Sequence, residues 1–147
     1  MQLLTSALAT MSVMLANTAG AETIKLVEHA ITDDVIHIHG TADSLGDLLV
    51  FSNPVFDSTD HTQRGHDQGY CIRVVVGKSW ECFWTLFLAR GQIAVEGPFY
   101  DKQDSVLAVT GGTAEFAGAR GSLRLHARNA RGSEYEFTYD LLDRSGK

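Results

Sequence analysis

The stretch that decides the fold is Val95-Glu96-Gly97-Pro98-Phe99-Tyr100, continued by Asp104-Ser105-Val106-Leu107-Ala108-Val109-Thr110-Gly111-Gly112-Thr113 and by Phe116-Ala117-Gly118-Ala119-Arg120-Gly121. Ser105 to Thr110 reads as a buried strand that Gly111-Gly112-Thr113 breaks abruptly. Paired glycines mark a positive φ or a close approach of two backbones. The reading predicts a sharp corner here and another at Gly118 to Gly121, with strands feeding both.

Working outward, the same strand signals recur. Thr23 to Glu28 alternates polar and apolar residues, and Val35 to His39 alternates again. Asp47 to Val55 reads as a strand ending at Asn53-Pro54, and Asp57 to Gln63 as a polar loop. Gln68 to Val76 and Ser79 to Leu88 form a hairpin, followed by Gln92 to Glu96, Ser105 to Thr110, Gly121 to Arg128 and Ser133 to Leu142. Short strands at regular spacing, with no helical period, predict an all-β sandwich or barrel. The run Cys82-Phe83-Trp84-Thr85-Leu86-Phe87-Leu88 is apolar on both faces. Such a strand is covered twice, inside by a core and outside by another copy.

The chain has 147 residues, about one domain, with 44% hydrophobic and 20% charged residues. Its formal net charge is −6. No run of Lys or Arg offsets that charge, which argues against nucleic acid and anionic membrane surfaces as partners. Residues 1–21 carry no charged side chain and end in Ala19-Gly20-Ala21, a small-x-small pattern. They read as a secretory signal peptide, although the first residues lack the usual Lys or Arg. The expectation is a secreted or periplasmic protein, with no membrane insertion once the leader is cut.

In an oxidising compartment two cysteines usually pair. If the hairpin turns at Val76-Gly77, Cys71 sits opposite Cys82, Arg73 opposite Trp80 and Gly69 opposite Trp84. A disulfide, two free buried thiols and a functional thiol all remain open.

The segments Gly46-Asp47-Leu48-Leu49-Val50-Phe51-Ser52-Asn53, Gly69-Tyr70-Cys71, Val95-Glu96-Gly97-Pro98 and Asp104 to Gly121 resemble the allene oxide cyclase barrel family. They are more loosely similar to plant dirigent proteins. The resemblance runs from about Leu26 to Leu142, within a domain of residues 22–147. It implies an eight-stranded antiparallel β-barrel with an apolar cavity, and a homo-oligomer, a trimer or a dimer. It implies catalysis by orienting a reactive guest, such as closure of a fatty-acid epoxide into a cyclopentenone. Glu28 matches the family's strand-one glutamate, Asn53 the asparagine that holds an ordered water, and Cys71 a cavity-lining cysteine. Ala30 stands where plant cyclases carry a second asparagine.

The candidate catalytic residues are therefore Glu28 and Asn53. A glutamate sharing a face with Leu26 is desolvated if that face is inward, and is a plain rim residue if it is not. Asn53 precedes Pro54 and either ends its strand or anchors the cavity. Phe51, Pro54, Cys71 and Trp84 are the expected cavity liners, Phe51 on the Asn53 face and Trp84 on the cysteine face. His37 and His39 alternate on one strand, but no further ligand pattern completes a metal site. Neither a nucleophile elbow nor a phosphate loop is present, and no cofactor is implied. The expected activity is a cofactor-independent cyclase or isomerase acting on an apolar unsaturated small molecule, oxylipin- or polyketide-like. The alternative is a dirigent-like or lipocalin-like binding protein without catalysis, and a solidly packed structural barrel is a third reading.

Overall fold

The structure, a computed structural model, describes residues 21–143. The expected signal peptide lies outside the described residues except for Ala21. The strands are β1 (Glu22–His29), β2 (Asp34–Ile36), β3 (Leu48–Asp57), β4 (Gln63–Val75), β5 (Ser79–Leu88), β6 (Gly91–Tyr100), β7 (Ser105–Gly112), β8 (Gly121–Ala127) and β9 (Glu134–Leu141). From β3 to β9 each strand pairs antiparallel with the next. β9 returns to β1, and β1 pairs with β3 at Glu28 opposite Val55, closing an eight-stranded barrel. The short β2 lies outside the closure, along β3. Closure leaves no long unpaired edge, which a chain this rich in strand would otherwise expose.

Side-chain alternation puts every second residue inside. Ser105, Leu107 and Val109 are buried while Val106, Ala108 and Thr110 face out. β7 continues through Gly111-Gly112 and meets a short 3-10 turn, Ala114–Phe116. A side chain at Gly112 would stand 2.5 Å from the Phe116 carbonyl oxygen and 2.6 Å from that of Gln92, so the corner needs glycine there. The turn folds Phe116 into the barrel with no exposed surface, joining Leu86, Ile93, Leu123 and Tyr139. Burying such a phenyl ring stabilises by about 1.5–3 kcal/mol. This end of the barrel is packed solid.

The opposite end is open. Its rim consists of the loops that precede β2, β3, β5, β7 and β9. Arg73, buried on β4, ties two of them together. Its Nε donates to Asp43 at 2.7 Å and its Nη1 to both carboxylate oxygens of Asp101 at 2.8 and 2.9 Å. The guanidinium lies 3.9 Å over the Trp80 ring, which stacks the charge on a π face.

The β4–β5 hairpin has the expected register. Lys78 N–H donates to the Val75 carbonyl at 3.0 Å, so Val76-Gly77 form the turn. Cys71 pairs with Cys82, Arg73 with Trp80 and Gly69 with Trp84. Cys71 and Cys82 are joined in a disulfide. Several strand boundaries differ from expectation: β3 runs past Asn53-Pro54 to Asp57 because Val55 and Phe56 still pair with β4, and β6 runs on past Glu96 to Tyr100 along β5. β4 begins at Gln63, because Gln63 to Asp67 pair with β3 despite their polarity. β2 stops at Ile36, because Asp47 captures the next residues, accepting from His37 Nδ1 at 2.7 Å and from the Ile38 backbone N–H at 3.0 Å. His37 is thereby spoken for by a carboxylate and forms no ligand pair with His39.

The outer face of the hairpin is apolar. Tyr70, Ile72, Val74 and Phe83 are 46%, 43%, 46% and 37% exposed, which no monomer core requires.

Candidate active-site cavity

The inward alternation of β3 places Leu49, Phe51, Asn53 and Val55 on one face, and that of β1 places Leu26 and Glu28 there. On β4 the inward positions are Asp67, Gly69, Cys71 and Arg73. Gly69 leaves room for Trp84, whose Cβ would lie 2.4 Å from any side chain at that position. Between these strands and the inner faces of β6, β8 and β9 lies a cavity. Leu49, Phe51, Trp84, Phe99, Leu125 and Phe137 supply most of its wall, with the Cys71–Cys82 disulfide on one side. Its polar groups are Glu28, Asp33 and Tyr135.

Unfilled space in this cavity is about 30 Å³, enough for about two waters. Above it opens a vestibule of about 540 Å³ formed by the β6–β7 and β8–β9 loops. Phe99, Leu125 and Tyr135 line both spaces. Phe99 and Tyr135 meet edge to face with centroids 5.8 Å apart. They stand where the vestibule and the inner cavity meet.

Behind the apolar wall lies a buried polar cluster. Glu28 is 5%, Asn53 1% and Asp67 0% exposed. Asn53 Nδ2 donates to Glu28 Oε1 at 2.8 Å and to Asp33 Oδ1 at 2.7 Å. Asn53 Oδ1 accepts from the backbone N–H of Ile31 and Thr32, both at 3.0 Å, and from the Thr32 hydroxyl at 2.9 Å. Two backbone donors on one atom fix which end of the amide is oxygen. The Asn53 backbone N–H donates a longer bond, 3.4 Å, to Asp67 Oδ1. Asp67 Oδ2, Trp84 Nε1 and the Tyr139 hydroxyl are buried without a well-formed partner among the described residues. Trp84 Nε1 and the Tyr139 hydroxyl face each other, beside the two carboxyls.

Burial governs the charges. It pushes the Glu28 carboxyl well above the usual range, and the like charge of Asp67 pushes it further, against the pull of the Asn53 amide. Burial pushes Asp67 up to about 7, although the Asn53 backbone N–H favours its ionised form. Asp33, at the rim, is raised by partial burial, again against Asn53. Burial also pushes the Tyr135 phenol up to about 12, helped by the nearby negative charge of Glu28. The cluster therefore holds neutral carboxylic acid at a pH where surface carboxyls are ionised.

Of the residues expected from sequence, Glu28, Phe51, Cys71 and Trp84 line the cavity. Pro54 does not: it points the opposite way to Asn53 and Val55 on the pleat of β3. Asn53 sits behind the cavity with its amide fully engaged, and cannot hold a water without releasing one of these partners. Cys71 is in a disulfide and has no thiol to offer. Asp33, Asp67 and Tyr135 were not anticipated. A signal for Asp67 existed: extending β4 back to Gln63 puts Asp67 in phase with Cys71 and Arg73. Among the described residues, no three His, Cys, Asp or Glu side chains gather as a metal site.

The family model described as allene oxide cyclase matches residues 10–137. A pyocyanin demethylase is 26% identical and superposes with a TM-score of 0.66, over 79% of this chain and 98% of that one. A pterocarpan synthase dirigent protein, 14% identical, shares the fold with a TM-score of 0.69 over 86% of this chain and 96% of its own. So does a Diels–Alderase from Streptomyces koyangensis, 12% identical, with a TM-score of 0.69 over 88% of this chain and 71% of that one.

Proposed function

The chain belongs to the allene oxide cyclase family, and from that membership and the acid buried in its cavity we propose that it is a cofactor-independent cyclase or isomerase. The observation that carries the reading is Glu28: a carboxyl held by Asn53 at 2.8 Å, in the wall of a mostly apolar cavity. The guest is an apolar, unsaturated small molecule, oxylipin- or polyketide-like. It enters from the vestibule when Phe99 and Tyr135 part. Phe51, Trp84 and Phe137 then press its reactive end into one conformation, which removes the entropy that ring closure otherwise costs. Glu28, neutral in this setting, donates a hydrogen bond to an oxygen that gains negative charge as the ring closes. The chain's own acid performs this step. The pyocyanin demethylase and the Diels–Alderase are named for other reactions of unsaturated or ring compounds, which agrees with a barrel whose chemistry lies in its lining.

The test uses an unsaturated fatty-acid epoxide generated in place from its hydroperoxide, with the cyclopentenone resolved by chiral chromatography. One enantiomer should be enriched by the wild type and not by Glu28→Gln. A racemic product with both proteins would exclude the cyclase reading for this guest class. Retention of guest without enrichment would favour the dirigent-like binding protein instead.

The protein is further proposed to be exported and to form a homo-oligomer. The Cys71–Cys82 disulfide supports export, and the exposed Tyr70, Ile72, Val74 and Phe83 support a contact between copies. Sedimentation of the wild type as a dimer or trimer, and of Ile72→Asp as a monomer, is the expected result.

A further inference from the structure

Two carboxyls of the polar cluster have an arrangement that hydrogen bonding to a guest does not require. Asp67 comes from β4 and Glu28 from β1, and the two strands are not neighbours: β3 lies between them. Asn53 of β3 serves both. Its side chain donates to Glu28 Oε1 and its backbone N–H to Asp67 Oδ1. Each carboxyl thus has one oxygen turned to Asn53 and one left over. The two carboxyls thus meet at Asn53, and the charge of Asp67 acts on Glu28. Asp67 Oδ2 is buried and has no donor among the described residues. A fully buried acceptor without a donor costs about 1–3 kcal/mol, more if charged. Among the described residues, the donors around it are the Glu28 carboxyl in its acid form and, beside the two carboxyls, the Tyr139 hydroxyl and Trp84 Nε1. The groups facing this pair are Asn53 on β3, Asp33 in the β1–β2 loop, and Tyr139 on β9, whose phenol burial keeps neutral. None of the groups that set the charge of Glu28 is a cation.

We propose that Glu28 and Asp67 form a single-proton carboxyl pair, Glu28 facing the guest and Asp67 behind it with one proton shared between them, and that this pair carries out a proton-shift isomerisation. The proposal rests on the cyclase or isomerase reading and names its substrate class. A pair with one proton between two carboxyls is an acid and a base at once. The guest it suits is a neutral β,γ-unsaturated carbonyl compound with a labile C–H between the carbonyl and the double bond. The charged member accepts that proton, the C–H bond breaks, and its electron pair is taken up as a dienolate whose negative charge rests on the carbonyl oxygen. The pair then returns one proton to the far carbon of the conjugated system, where a new C–H bond forms. One proton enters the pair and one leaves, so no oxidant, reductant or co-substrate is consumed. Asp67 touches no guest atom. It is a positioning residue that acts through Glu28.

The pairing can be read without any substrate. Carboxyl carbons labelled with ¹³C are titrated by NMR from pH 4 to 9 in the full-length chain as purified. In the wild type two carboxyls should titrate above the ordinary range, Asp67 near 7. In Asp67→Asn the Glu28 midpoint should move to lower pH, because a like charge has been removed. In Glu28→Gln the Asp67 midpoint should fall for the same reason, which keeps the test open should Asp67→Asn fail to fold. Two carboxyls that titrate independently in the ordinary range would overturn the pair. The proton shift is read with cyclohex-3-enone in ²H₂O as a small neutral probe. Solvent deuterium should enter the conjugated product with the wild type and fall at least tenfold in Asp67→Asn. Intact pairing with no deuterium transfer would overturn the isomerisation while leaving ring closure, tested separately by enantiomer enrichment, untouched.

Discussion

Asn53 Nδ2 donates to Glu28 Oε1 at 2.8 Å, so the side chain matched in sequence to a water-holding residue instead holds the acid directly. The same nitrogen reaches Asp33, and Oδ1 pins the backbone of Ile31 and Thr32. One amide therefore joins β3, the end of β1 and the rim loop.

Replacing Asn53 by Ala should accordingly damage stability as well as activity. It would leave the Ile31 and Thr32 N–H groups and two carboxyls without their partner. A loss of about 2–4 kcal/mol is expected from unsatisfied buried groups, measured by urea unfolding. A loss below about 0.5 kcal/mol would show that water replaces the amide and that the site is wetter than its burial implies.

The buried acids also set a pH dependence. Glu28 and Asp67 bind their protons more tightly in the folded chain than in the unfolded one. Their contribution to stability is thus fully present below the unfolded carboxyl range near pH 4 and is lost as pH rises. The window runs from about 4 up to about 7, where Asp67 titrates. Asp47 and Asp57 act in the opposite sense: hydrogen bonds, first from Ser44 and from Thr59, hold their carboxyls below the usual range. Their contribution fades in acid. Wild-type stability minus that of Asp67→Asn, measured between pH 4 and 8, isolates the first effect. The difference should decline with pH by on the order of 3 kcal/mol. A flat difference would mean that Asp67 binds its proton no more tightly in the folded chain than in the unfolded one.

Phe99 and Tyr135 line both the 30 Å³ inner space and the 540 Å³ vestibule. Truncation of Phe99 to Ala should merge the two. Uptake of a neutral apolar fluorophore, N-phenyl-1-naphthylamine, should become at least severalfold faster. Because Phe99 is only half-buried, the stability cost should stay near 1–2 kcal/mol, below that of a fully buried ring. Unchanged uptake would place the entrance elsewhere on the barrel.

The Cys71–Cys82 bridge spans a sequence separation of 11 residues. Closing so short a loop stabilises by about 3 kcal/mol on the chain-entropy model. Reduction, or the double change Cys71→Ala with Cys82→Ala, should lower the urea midpoint accordingly. It should also loosen the cavity wall that both residues line. An unchanged midpoint would show that the hairpin register holds without the bridge.

Local chemistry was legible from the residues in order. Alternation grouped Leu26 with Glu28 on β1 and Phe51 with Asn53 on β3, and the Val76-Gly77 turn set the hairpin register, which in turn put Cys71 opposite Cys82. These are short-range consequences of a two-residue period and a turn, so a linear reading recovers them. The cluster around Glu28 was legible only in part. Asp67 lies in Arg64-Gly65-His66-Asp67-Gln68, where polar residues on both faces erase the alternation and mimic a loop. Asp33 lies in a rim loop with no period at all. What brings them to Glu28 is the closure of β1 onto β3 and the pairing of β3 with β4, contacts between segments far apart in the chain. Such contacts depend on how the whole sheet curls and staggers, which no single segment encodes. The all-β class thus came from the order of residues, and the closed barrel and its acid candidate from the resemblance that those residues carry. The neighbours of that acid and the meeting of Phe99 with Tyr135 came from the way the strands meet in space.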